Sequence, residues 1–202
     1  MADYDELVEH SAKAEERVLE RHPGGVHGIL DKISIGIGTV GVGYLPIAPG
    51  TWGSAVGVVI YLFAAVVAGH YAADLAIGGW TEAQIAGWSV SIITTLFVIF
   101  CLAGIWASTR VTRIFGTKDP SHAVVDEVMG QLITFMFIPF TFSWQLILAG
   151  FLLFRLFDIW KPYPIDSLQN LPAGLGVCAD DIVAGVYAGI CLSILYAVTI
   201  TL

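Results

Sequence analysis

Charge is what this 202-residue chain has least of. Asp, Glu, Lys and Arg make up 13% of it, against about 25% in soluble domains. Apolar residues reach 56% and the mean hydropathy is +0.79. A water-soluble monomer with such a surface would aggregate, so the composition implies a membrane protein. Positive charge is scarcest of all. The nine Lys and Arg form no basic tract, which excludes nucleic acid as a partner. Cys101, Cys178 and Cys191 are too few and too scattered for a disulfide framework or a zinc site, and read as small buried hydrophobes. Residues 1–22 are charged from the start and lack the apolar core of a signal peptide.

Eight of the seventeen acids lie in residues 1–32. This stretch is expected to be a charged cytoplasmic segment with a water-exposed helix ending at Pro23-Gly24-Gly25. Residues 33–202 are expected to form the membrane domain. Within it, stretches 33–73, 83–109, 128–154 and 182–202 carry no Asp, Glu, Lys or Arg. A spanning helix needs about 20 mostly apolar residues. Residues 34–50 are rich in Gly and Pro and read as an irregular loop. Pro139 and the following Thr141-Phe142-Ser143 break the stretch 128–154. Asp119-Pro120 reads as a helix start. The expected fold is all-α, a polytopic bundle of about five spans: 52–69, 85–107, 120–138, 144–160 and 181–201.

Charge placement supports that count. Five spans place Lys13, Arg17, Arg21, Lys32, Arg110, Arg113, Lys118, Arg155 and Lys161 on one side, and loops 70–84 and 139–143 hold no Lys or Arg. The positive-inside rule makes that side cytoplasmic.

Five of the remaining acids gather at the same side. Asp126 and Glu127 are expected about two turns into the third helix, Asp158 near the end of the fourth, and Asp180 and Asp181 at the start of the fifth. Ionisable groups at a membrane boundary are costly unless paired, hydrated or metal-bound. A divalent cation would hold converging carboxylates ionised, and Mg²⁺ prefers such oxygen ligands together with phosphate. Each acid also has a plainer reading. Asp180 and Asp181 could favour a helix N-terminus, Asp126 and Glu127 could line a solvated face, and Asp158 could pair with Arg155 or Lys161 at i,i+3 spacing. Adjacent helical residues point about 100° apart, so one of Asp180 and Asp181 faces the site. Arg155 and Lys161 suit a phosphate bridged to a metal.

The sequence GIGTVG (Gly36 to Gly41) matches a dinucleotide fingerprint in letters only, because no βαβ unit surrounds it. Thr51 is expected to cap the first span and leave N–H groups free for an anion. Cys101 and Cys191 lie deep in spans, Ser54 has no nearby His in sequence, and His122 reads as solvent-exposed. Metal-activated water is therefore favoured over a covalent intermediate.

LPIAPGTWGS, KDPSHAVVDEVMGQLIT, FRLFDIWKPYPID and GVCADDIVAG, in this order over about residues 33–190, resemble the phosphatidylglycerophosphatase A family. The R-x-x-D-x-x-K-P-x-P element and the later A-D-D-x-x-A-G are its specific marks. The resemblance implies Mg²⁺-dependent hydrolysis of phosphatidylglycerophosphate to phosphatidylglycerol, a cardiolipin precursor, in the bacterial inner membrane with the site facing the cytoplasm. It implies that Asp126, Glu127, Asp158, Asp180 and Asp181 form the catalytic metal cluster, with Arg155, Lys161 and Thr51 on the substrate. Val125 and His122 depart from some relatives without touching a carboxylate. The rival from another class is a cation transporter or channel using intramembrane carboxylates; its acids should sit near mid-membrane on broken helices. The signature of CDP-alcohol phosphotransfer is absent. Oligomeric state is not encoded in any of these features.

Overall fold

The computed structural model describes residues 28–116, 122–171 and 173–201. The N-terminal helix expected before Pro23 and the Asp119-Pro120 helix start lie outside the described residues. Every regular element among those described is helical: α1 Ile29–Thr39, α2 Pro49–Ile77, α3 Glu82–Phe115, α4 Val125–Phe135, α5 Trp144–Trp160, α6 Ile165–Leu168 and α7 Ala173–Thr201. Three of them, α2, α3 and α7, are long and apolar enough to cross a membrane.

The fourth expected span, 144–160, coincides with α5. The others differ in instructive ways. Residues 34–39, expected to be irregular, are helical and close α1. One of its two glycines serves packing: a Cβ on Gly38 would lie 2.9 Å from a Val111 methyl of α3. Asp31 of α1 also pairs with Arg110 of α3 at 2.6 Å. α3 opens on a capping box, in which Thr81 accepts from the Gln84 N–H and the Gln84 side chain accepts from the Thr81 N–H.

The third span, expected over 120–138, is the 11-residue α4. At 1.5 Å per residue it is about 16 Å long, roughly half the hydrocarbon thickness. Its start is set by tertiary pairing: the Val124 N–H donates to the Gly38 carbonyl at 2.8 Å. That bond holds residue 124 out of the helix.

α4 is nonetheless the centre of the bundle. It packs most heavily on α7 and α2, while α5 packs on α7. Hydrocarbon gives helices no hydrophobic drive to associate, so close approach through small residues does that work. Gly53 and Gly57 of α2 lie against Val124 and Gln131, Gly104 of α3 against Met129, and Gly150 of α5 against Phe135. A close backbone approach joins α4 to α7, where a Cβ on Gly185 would collide with the Gly130 carbonyl. Backbone cannot yield there as a flexible side chain could. Gly185→Ala should therefore destabilise the protein by about 1–3 kcal/mol, read as a lowered thermal midpoint in detergent. Gly69→Ala, which meets nothing within 4 Å, should leave the midpoint in place.

Candidate active site

The α4–α7 contact brings the acids together. Asp126 and Glu127 stand in the first turn of α4, and Asp181 comes from α7. One carboxylate oxygen from each lies within 4.8 Å of the others. Asp126 and Asp181 are buried. Three like charges so close, in apolar surroundings, repel one another strongly, and a cation bound between them removes the repulsion. The chemistry of the donors fits Mg²⁺, a hard ion that takes carboxylate oxygens. Glu127 Oε2 is buried without a hydrogen-bond partner, a polar atom that the protein alone leaves unsatisfied.

The other two acids face cations. Asp158 pairs with Arg155 at 2.6 Å, the i,i+3 pair the spacing allowed. Asp180 pairs with Lys161 at 2.7 Å. Lys161 ends α5 in a left-handed conformation, φ 47°, just before Pro162, which turns its side chain back to α7. Burial works against its charge, yet the hydrogen bond and charge of Asp180, backed by Asp181 and Asp158, hold its pKa above the ordinary lysine value. Lys161 thus stays protonated throughout the physiological range. The Arg155 guanidinium also reaches the Ser54 hydroxyl of α2 at 3.5 Å.

Several expected placements change. Asp180 and Asp181 do not open the last helix, because α7 starts at Ala173. They stand about two turns inside it, so a helix-end role does not explain them. Asp126 and Glu127 are nearer a helix start than expected, where the α4 dipole favours them. Thr51 is not a cap: Ala48, at φ 49°, is the N-cap residue, and no side chain caps α2. The α2 residues that meet the cluster are Gly50 and Ser54. A Cβ on Gly50 would collide with the Glu127 carboxylate and lie 3.2 Å from the Arg155 guanidinium. His122 is half-buried rather than solvent-exposed. It stands away from the acids, its ring 5.3 Å from that of Tyr44 and its Nδ1 3.0 Å from the Gly43 carbonyl.

Gly50 and Gln131 escaped the sequence reading, and Ser54 entered it only as a rejected nucleophile. Gly50 and Ser54 are one helical turn apart, a small-residue spacing that marks close helix packing. Gln131, one turn beyond Glu127, is fully buried, and neither end of its amide has a partner. A polar side chain inside an apolar helix was the available signal.

The split between three clustered acids and two cation-paired acids makes the adjacent pair on α7 a direct test. Asp181→Asn should abolish most divalent-ion affinity. Asp180→Asn keeps the three clustered oxygens and disturbs their neighbour Lys161, so its loss should be about 10- to 100-fold. Titration of purified protein with Mn²⁺, followed by the electron paramagnetic resonance of the free ion, measures both. Equal affinities in the two variants would dissolve the distinction.

Residues 36–196 match the family model described as Phosphatidylglycerophosphatase A. A Bacteroides thetaiotaomicron protein named "Putative phosphatidylinositol-3-phosphatase" is 35% identical over 80% of this chain and 91% of its own length. Proteins named Phosphatidylglycerophosphatase A from Escherichia coli and Haemophilus influenzae are each 33% identical. They cover 76% and 77% of this chain, and 76% and 82% of their own lengths. No solved structure matches the chain. With the family model covering most of the sequence and the motif acids meeting at one end of the bundle, the chain belongs to the phosphatidylglycerophosphatase A family of phosphoric monoester hydrolases.

Proposed function

We propose that the protein hydrolyses the terminal phosphate monoester of phosphatidylglycerophosphate, with Mg²⁺, to give phosphatidylglycerol and phosphate for phospholipid synthesis. The observation that carries this reading is the meeting of Asp126, Glu127 and Asp181 beside two cations, Arg155 and Lys161. The family supplies the substrate. The Bacteroides relative is named for a different lipid, and the two names share a phosphate monoester on a glycerophospholipid. The cation-transport reading gains nothing from an arrangement that sets Arg155 and Lys161 against the acids.

Asp126, Glu127 and Asp181 would hold the Mg²⁺. When bound, the ion supplies Lewis-acid polarisation of the phosphate and an acidified water. Arg155 and Lys161 bind phosphoryl oxygens and offset the charge that grows on them. Asp158 and Asp180 fix the positions of those cations, and Ser54 steadies Arg155 from α2. Glu127 Oε2, free of protein partners, is placed to accept the proton of an attacking water. The water oxygen bonds to phosphorus as the bond to the glycerol oxygen breaks, and the released alkoxide takes a proton. Ser54 is no nucleophile in this scheme: its hydroxyl donates to the Gly50 carbonyl at 3.0 Å.

The membrane orientation belongs to the same reading. Five helices enter the bacterial inner membrane, the N-terminal region and the acid cluster lie on the cytoplasmic side, and the C-terminus lies outside. The support is the one-sided sorting of Lys and Arg.

Phosphate release from phosphatidylglycerophosphate by purified protein should require Mg²⁺ and stop with chelator. Phosphatidylinositol 3-phosphate, assayed in parallel, decides the substrate: faster release from it would transfer the activity to inositol lipids. Arg155→Ala loses one charge-assisted contact, about 1.5–3 kcal/mol, so kcat/KM should fall roughly 10- to 150-fold. Unchanged kinetics would reduce Arg155 to a structural partner of Asp158.

A further inference from the structure

Contacts along the bundle fix how deep the turn between α4 and α5 lies. The acid cluster sits level with Gly53 of α2, whose Cβ position touches Val124 and Glu127. Eight residues on, about 12 Å along the helix, the Tyr61 ring stacks on Phe135 at 4.3 Å, and its hydroxyl meets the backbone of Thr141. On α7, Gly189 lies eight residues beyond Asp181, again about 12 Å, and packs against Phe137. On α5, Trp144 lies eleven residues before Arg155, about 16 Å. The three rulers agree that the turn reaches about 12–16 Å past the acids, close to half of a hydrocarbon core of about 30 Å.

The neighbouring helices do not stop there. α2 continues from Tyr61 to Ile77, and α7 from Gly189 to Thr201, about 24 and 18 Å further. Those extensions expose Phe63 and Val66, and Ile190, Ile194, Val198 and Ile200. Were the turn at the far interface, all of that apolar surface would stand in water.

We propose that α4 and α5 form a re-entrant hairpin whose aromatic tip docks in the acyl chains at the bilayer midplane. The inference rests on the membrane orientation given above. The surface that meets lipid is Phe137, Phe140, Phe142 and Trp144, all exposed on the protein. Non-helical backbone at such depth needs partners within the protein, and four N–H groups of the turn have them. The Tyr61 hydroxyl takes the Thr141 N–H at 2.8 Å, and the Thr141 hydroxyl takes the Ser143 N–H at 3.1 Å. The Met136 and Ile138 N–H groups return to Ile133 and Phe135 carbonyls, and Pro139 has none to satisfy. A hairpin leaves by the face it entered, so Lys and Arg sort to one side as they would with two full crossings. It also confines the phosphatase site and its hairpin to one leaflet, from which substrate lipid must come.

The test uses full-length Phe142→Cys, Ile77→Cys and Asp166→Cys proteins in oriented vesicles. Wild type, whose three cysteines are buried or half-buried, supplies the background. A membrane-impermeant maleimide should reach position 77 from outside, position 166 from the cytoplasmic face, and position 142 from neither. A nitroxide at position 142 should relax with oxygen and ignore a nickel chelate, as at the membrane centre; Phe140→Cys repeats the measurement should Phe142→Cys fail to fold. Maleimide reaction or nickel relaxation at the tip from either face overturns the hairpin. Labelling of 77 only from the cytoplasmic face, and of 166 only from outside, overturns the orientation instead, while the depth of the tip still decides the hairpin.

Discussion

Mutual repulsion among Asp126, Glu127 and Asp181 is the constraint that much of this bundle answers to. Carboxylates whose oxygens lie within 4.8 Å of one another are unfavourable in a low-dielectric interior, and apolar packing alone does not hold them there for stability. Two features make the arrangement tolerable. Asp158 and Asp180, the nearest additional negative charges, are each neutralised by a cation at 2.6 or 2.7 Å. The three remaining acids present oxygens that suit a divalent ion. In the proposed reaction the same division serves function: the two cations that quiet the outer acids would receive the phosphate.

Keeping the acids in place requires helices closer than ordinary side chains permit. The Gly130–Gly185 approach joins the two helices that carry the trio, and Gly50 makes room for the Glu127 carboxylate and Arg155 together. α4 can therefore be short. It has no need to cross the bilayer, because nine of its eleven residues are buried against neighbours. Packing replaces length as the source of its stability.

What the sequence made legible follows from where the physics is local. The bounds of α5 were readable because Pro139 and Pro162 act on their own backbone. The ends of α1, α4 and α7 were not. Residues 34–39 look like a glycine loop until Val111 of α3 is set against Gly38. The start of α4 is fixed by a bond from Val124 to Gly38, far away in sequence. The charge-free stretch 182–202 placed Asp180 and Asp181 at a helix start, yet the helix begins earlier, where a Cβ on Gly174 would collide with Ile105 and Thr109 of α3. The acids themselves were legible because carboxylates are rare in so apolar a chain. Which of them cluster and which pair was not, since i,i+3 spacing exposed Asp158–Arg155 while Lys161–Asp180 depends on the α5–α7 contact.

The length of α4 also marks what charge statistics can and cannot decide. Lys and Arg report which face each connecting segment occupies. They carry no information on how deeply a segment travels before returning. Two full crossings and a shallow hairpin are equivalent in that record, which is why five expected spans and an 11-residue helix are compatible with the same distribution of charge. Depth is recorded elsewhere, in the partners of the turn. A buried tyrosine hydroxyl that meets a loop N–H halfway along a 29-residue helix contributes most where water is absent. In an aqueous loop the Thr141 N–H would need no such partner. Tyr61, neither charged nor part of any catalytic motif, thus records the depth at which the acid-bearing helix ends.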